Sequence, residues 1–241
     1  MFINGIYWGV YSASERPEKS YGESYFGGIK EDYNTMKATC CNTNALAIDG
    51  TNTSYNYMKS QTDNYPAIEQ YLDVDHFIDY VMVCNFGPHG DWRTWNTYAI
   101  DNPTANVPYR FFVWDPEPSL KNDWYYTDKI VDTRDHEDIW QPLKNNADFR
   151  MRFADHVECN CIQTDGPLNP NNAEAYYDET FQQNKLAYLA EAARWADKNL
   201  YNEFLNYRDD IINTNWFFDR AQTLVNSYKS NDLYPLSLIH I

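Results

Sequence analysis

Asp91, Asn96 and Asp115 follow one another as acid, carboxamide and acid, set among aromatics in FGPHGDWRTWN (86–96) and YRFFVWDPEPSL (109–120). An acid can accept or orient a hydroxyl proton, and an amide with a second carboxylate can hold a hard divalent ion. Phosphoryl transfer asks little more of a protein. Magnesium prefers oxygen ligands and keeps several waters, so one or two carboxylates suffice. The Asp-x-x-x-x-Asn spacing of Asp91 and Asn96 suits this chemistry, and Asp115 ends an apolar strand-like run. The same residues also suit simpler roles, since Asp after Gly caps turns and Asn opens strands. A glycosidase acid pair, Asp115 with Glu117 or Asp91 with Asp115, is disfavoured. Acids two apart on a strand would point the same way and sit closer together than that reaction uses.

The elements that must position these groups are written in the apolar periodicity. YLDVDHFIDYVMVCNF (71–86) places Val74, Phe77, Ile78, Val81 and Cys84 at helical spacing. Asp73 or Asp75 stands ready to cap that helix. These acids lack the glycine and the twelfth-position glutamate of a calcium loop, so capping is their expected role. WNTYAID and YRFFVWD are expected to pair as strands across a polar turn holding Pro103 and Pro108. Upstream, residues 2–14 are predicted to form two extended runs about an Asn4-Gly5 turn, with the first residues already in the core. A short helical stretch, a Gly27-Gly28 turn and a further extended piece should follow, and residues 38–66, rich in Asn, Thr and Ser, should be a loop. Beyond residue 120 the pattern turns helical in 145–162, 172–200 and 215–235, with Asn169-Pro170 as a start and Pro235 as a stop. This organisation is α+β, with a helical C-terminal half.

Composition bounds the function. The chain has 241 residues, 43% hydrophobic and 17% aromatic, with Tyr 21, Phe 12 and Trp 8, enough to build a real core. The formal net charge of -16 opposes nucleic acid and anionic lipid, which need a cationic footprint. It also opposes free nucleotide unless a metal cation neutralises charge where phosphate sits. No apolar run is long enough for a membrane helix. Cys40, Cys41, Cys84, Cys159 and Cys161 show no zinc spacing and an odd count, and Cys84 should be a small core residue.

The blocks INGIYWGVYSASERPEKSYGESYFGGIKEDYNTMK, YLDVDHFIDYVMVCNFGPHGDWRTWNTYAI and YRFFVWDPEPSL resemble the spore-coat-protein-H (CotH) kinase family, in its branch of large secreted bacterial proteins. FRMRFADHV, EAARWAD and WFFDRAQTLVNSYKSNDLYP resemble it as well. The resemblance implies an atypical protein-kinase-like fold, mostly C-lobe with the end of a strand-rich N-lobe. It implies a kinase using ATP and Mg2+ or Mn2+ on Ser or Thr of a secreted or coat protein acceptor, located extracellularly or at the cell surface. Asp91 then matches the catalytic acid, Asn96 a metal ligand and Asp115 the main metal-binding aspartate. Tyr11 and Glu15, beside a hinge-like strand, become nucleotide-pocket candidates with Trp114.

Two departures qualify the match. Where the family commonly reads Trp-Asp-x-Asp with a glycine soon after, this chain has WDPEPSL, with Glu117 as the substitute oxygen ligand and Leu120 near the glycine position. The phosphate-covering loop and nucleotide-pairing Lys of a kinase precede the hinge, whereas here the hinge-like strand begins at Met1. Residues 1–235 are therefore expected to be a partial domain that binds ATP poorly by itself. LSLIHI (236–241) is expected to be a sequencing-adapter tail, being the in-frame translation of a transposon end used in libraries. The alternative is a pseudokinase serving as a structural, carbohydrate-binding or protein-binding module.

Overall fold

Helix α4 (Val74–Phe86) is the element on which the others are hung. Its predicted stripe is buried, and so are Tyr80, Met82, Asn85 and Phe86. A helix apolar on nearly every side must be covered on nearly every side. The structure, a computed structural model, describes residues 1–38, 45–89, 92, 96–117, 119–120, 137–197 and 199–234. Asp73 caps α4 by accepting the His76 N–H at 3.1 Å. Its other oxygen accepts from Arg110 Nε at 2.8 Å, tying the cap to the sheet.

That sheet is antiparallel, in the order β4-β3-β5-β6. Its strands are β3 (Asn34–Lys37), β4 (Leu46–Asp49), β5 (Thr97–Asn102) and β6 (Val107–Val113). β5 and β6 form the expected hairpin, with Thr97 opposite Val113 and Asn102 opposite Val107. β6 packs on α4 through rings such as Phe77 and Phe111, 5.1 Å apart. Upstream, α1 (Lys19–Phe26) ends at Gly27 and Gly28, with φ of 78° and 74°, the turn foreseen there.

Two expectations are corrected. Residues 38–66 are not simply a loop: they contain β4, α2 (Thr53–Ser60) and the start of α3 (Tyr65–Ile68), with 39–44 outside the described residues. Polar composition hid three apolar anchors, Tyr55, Met58 and Tyr65, all buried. The first residues are not core. β1 (Phe2–Ile3) and β2 (Ile6–Tyr7) pair about Asn4-Gly5 as expected, yet Phe2 is 72% and Ile6 59% exposed. Two-residue strands have too little area to join a sheet. The hairpin instead leans on α7 (Pro170–Trp195), where Tyr7 Oη donates to Glu191 at 3.0 Å.

The C-terminal half supplies α5 (Glu137–Asn145), α6 (Ala147–Val157), a π-helical turn (Glu158–Ile162), α7, α8 (Leu200–Asn213) and α9 (Trp216–Ser230). Asn146 caps α6, and Asn169 with Pro170 starts α7. α9 stops at Ser230, ahead of Pro235, which lies outside the described residues together with the tail. α6 clamps α4 from outside. Arg152 holds Asp75 bidentately and Glu69 at 2.6 Å, while His156 bridges Asp79 at 2.7 Å and Asp75 at 3.0 Å. α7 and α8 meet through a stack of Phe181, Phe204 and Tyr188. Among the described residues no helix is long and apolar enough to cross a membrane.

Candidate active site

The open end of the β5–β6 hairpin faces the C-terminus of α4, and the two segments leaving these elements are cross-tied. Gly87 accepts the Leu120 N–H at 3.1 Å. His89, 1% exposed, sets Nε2 3.3 Å from the Trp114 carbonyl, a contact that requires the Nε2–H tautomer. The Trp114 N–H donates to the Asn96 carbonyl at 3.3 Å, and Asn96 Nδ2 donates to the Asp115 carbonyl at 3.2 Å. Tyr80 pins the α4 side. Its hydroxyl donates to the Trp92 carbonyl at 3.1 Å and lies 2.7 Å from Thr97 Oγ1. Complete burial pushes this phenol well above its ordinary value, so it stays a donor across the physiological range.

Asn96 and Asp115, nineteen positions apart, are thus brought side by side. The bond uses the amide nitrogen of Asn96 and leaves its Oδ1 available as an oxygen ligand. Asp115 and Glu117 are exposed, and among the described residues no hydrogen bond or ion pair is recorded for either carboxylate. This donor set is all oxygen, which fits a hard divalent ion that keeps its own waters. Among the described residues no group of three or more His, Cys, Asp or Glu converges, so an ion here would depend on the amide and on water. Asp115 has a φ of 52° and Leu120 one of 54°. Both lie in the left-handed region, costly for residues other than Gly and, less so, Asn or Asp. The strain at Leu120 falls where the resemblance suggested a glycine. β6 has already ended at Val113, so Asp115 and Glu117 are not a strand pair.

Asp91 lies outside the described residues; on either side of it in sequence, His89 and Trp92 are buried. Trp114 packs edge-on against Tyr98 at 5.2 Å, and the Arg16 guanidinium sits 6.0 Å from its ring centroid. Arg16 also donates to Tyr98 Oη at 3.1 Å, linking the hinge-like segment to the site. Tyr11 and Glu15 are not gathered into that contact. Tyr11 lines a groove with Tyr188 and Phe204, and Glu15 accepts from Tyr25 Oη at 2.5 Å.

Sequence reasoning missed three contributors. His89 lies in the quoted stretch, and a histidine two residues before the candidate acid was the available signal. Arg220, 1% exposed, donates to the Phe86 carbonyl at 3.0 Å and to the Asn85 carbonyl. It thereby satisfies carbonyls that the end of α4 leaves without helical partners. A lone Arg inside an apolar helical pattern was the hint. An apolar cleft of about 440 Å³ opens beside the loop, walled by Val83, Pro116, Leu120, Leu168, Tyr177 and Phe217. Its residues come from five segments, which no single stretch could reveal.

An α+β scaffold that joins the end of a buried helix to a hairpin mouth carrying an amide and two acids defines a class able to hold a divalent ion. The family model described as CotH kinase protein matches residues 47–224, and the chain belongs to this family. The match contains Asp91, Asn96, Trp114, Asp115 and Glu117, and begins after Tyr11 and Glu15. No curated protein and no solved structure matches the chain.

Proposed function

We propose that residues 1–235 belong to a CotH-type protein kinase domain with a protein-kinase-like fold. It would transfer phosphoryl groups from ATP to Ser or Thr of a secreted or coat protein, outside the cell or at its surface. The carrying observation is the hydrogen bond that sets Asn96 against Asp115 at the hairpin mouth, supported by membership of the family. In this reading Asp91 accepts or orients the acceptor hydroxyl proton. Asn96 Oδ1 and the Asp115 carboxylate would hold Mg2+ or Mn2+, with Glu117 as a further oxygen ligand. The bound cation neutralises phosphate charge that a chain of net charge -16 would otherwise repel. Trp114 lines the nucleotide side, with Tyr11 and Glu15 contributing from the hinge-like segment. Neither nucleic acid nor membrane insertion belongs to this reading.

The test is transfer of label from γ-labelled ATP to a Ser-rich protein acceptor, with Mg2+ or Mn2+, by the full-length protein and its Asp91→Ala variant. Labelling that disappears in the variant, with folding intact, is the expected outcome. Equal labelling by both would remove Asp91 from the mechanism. A second reading, a pseudokinase acting as a binding module, is favoured by the prolines flanking Glu117 and by the contacts of Tyr11 and Glu15 away from Asp115. No labelling by either folded protein, with no thermal shift on adding Mg-ATP, would select it.

A further inference from the structure

The closed end of the β5–β6 hairpin carries a second concave site that the phosphoryl-transfer reading does not use. Six strand residues at about 3.4 Å each put it about 20 Å from the hairpin mouth. The cavity, about 580 Å³, lies between the β5–β6 turn, α2 and Tyr71, a volume within the usual range for small-ligand pockets.

Its floor is a buried polar chain. Asp101 on β5 is 4% exposed and stands opposite Asn34 on β3. Asn34 Nδ2 donates to Asp101 Oδ1 at 2.9 Å and to Ser54 Oγ at 3.2 Å. Asn34 Oδ1 accepts the Thr51 N–H at 2.8 Å, and Ser54 Oγ lies 2.8 Å from Tyr109 Oη. Gly50 keeps this chain open. Its φ is 63°, and a Cβ there would stand 2.2 Å from Asn34 Oδ1. Among the described residues no ion pair is recorded for Asp101. Burial raises its carboxyl above the ordinary range, partly offset by hydrogen bonds from Asn34, Ser54 and Tyr109. A sheet-to-helix tie alone could have used an amide at this position without burying an acid.

The walls differ in kind from the floor. Tyr57, 50% exposed, meets Tyr71 edge-on with ring centroids 5.0 Å apart. Around them Thr51, Thr53, Gln70, Thr104 and Asn106 present hydroxyl and amide groups. Among the described residues no Lys or Arg lines the cavity, which disfavours phosphate or carboxylate ligands. A complementary ligand would be uncharged, with many hydroxyl donors for a buried acceptor and a C–H face to lie on an aromatic ring. We propose that this pocket binds a neutral saccharide, with Asp101 and Asn34 receiving its hydroxyls and Tyr57 supporting a sugar-ring face.

The experiment is titration calorimetry of the full chain against cellotetraose, xylotetraose, mannotetraose and chitotetraose in turn. At least one should bind, and Tyr57→Ala, at an exposed position, should weaken that binding at least tenfold. Asp101→Asn keeps the shape but exchanges the acceptor for an amide, and should do the same. Trp195→Ala, which removes an exposed aromatic far from the pocket, should change binding less than twofold. Phosphoryl transfer by Tyr57→Ala should match the unmodified chain, so failure here is separable from failure of the kinase reading. The proposal is overturned if none of the four sugars binds at millimolar concentration, or if binding survives both pocket variants. It is overturned equally if CaCl2 alone shifts the melting temperature and Asp101→Asn abolishes that shift, which would make the pocket a cation site.

Discussion

The two ends of one hairpin use aspartate in opposite ways. At the mouth, Asp115 is exposed, sits in a left-handed backbone conformation and, among the described residues, has only its main-chain oxygen engaged, by Asn96. At the turn, Asp101 is buried on β5, where the pairing with β6 shifts register, and is bonded to Asn34. A carboxylate reserved for an ion must keep its oxygens free and accept local strain for its position. One built into a pocket floor gives up solvent and gains fixed direction. On the proposed reading, burial alone would have singled out the other acid.

This contrast can be broken by exchanging each acid for its amide. Asp115→Asn should lower phosphoryl transfer about 10³-fold, the scale set by removing one electrostatic partner of a transition state, and leave the melting temperature unchanged. Asp101→Asn should leave transfer within about twofold. Initial rates for both variants decide the matter, and a larger loss at Asp101 would reverse the assignment of the two ends.

The mouth also depends on support that the turn does not need. Arg220→Met removes donors from two carbonyls at the end of α4, and should cost about 3 kcal/mol in urea unfolding. Saccharide binding at the turn should persist in the folded fraction. A cost below about 1 kcal/mol would mean water replaces the guanidinium without loss.

Acid–base behaviour sharpens the comparison further. The folded Asp101 pKa is raised above its unfolded value of 3.8. The stability linked to its protonated form is present below pH 3.8 and is lost as pH rises through the folded value. Asp101→Asn should therefore flatten stability against pH above about 4 and leave the chain equally or more stable at neutrality. A variant that melts lower at pH 7 would show that the ionised acid is stabilising.

The smallest effect belongs to neither end. The Asp79 bond, assisted by Asp75, raises His156 above 6.5. Its contribution is complete below pH 6.5 and fades as pH rises through the folded value. Between pH 6 and 8 the loss should be under about 1 kcal/mol, and absent in His156→Gln. Thermal melts across that range check it.

Much of this was legible because periodic burial is a local signal. Val74 to Cys84 announced α4, Asp73 or Asp75 its cap, and the alternation after Trp95 a hairpin. Asn96 and Asp115 were legible as a pair only through their order and the family resemblance; their hydrogen bond is tertiary. Tyr55 and Met58 were hidden because two buried side chains can hold a helix that is otherwise polar. Phe2 and Ile6 misled for the converse reason, since apolar residues on a strand too short to pair widely stay outside. Arg220 and the apolar cleft could not be read locally at all, being made by residues far apart in the chain.

The anchorage of Phe86 by Arg220 spans 134 positions. A growing polypeptide can form α4 and the hairpin early, but the end of α4 lacks the Arg220 donors until α9 has left the ribosome. A chain interrupted before α9 would therefore carry Asn96 and Asp115 beside an α4 end that lacks this anchor.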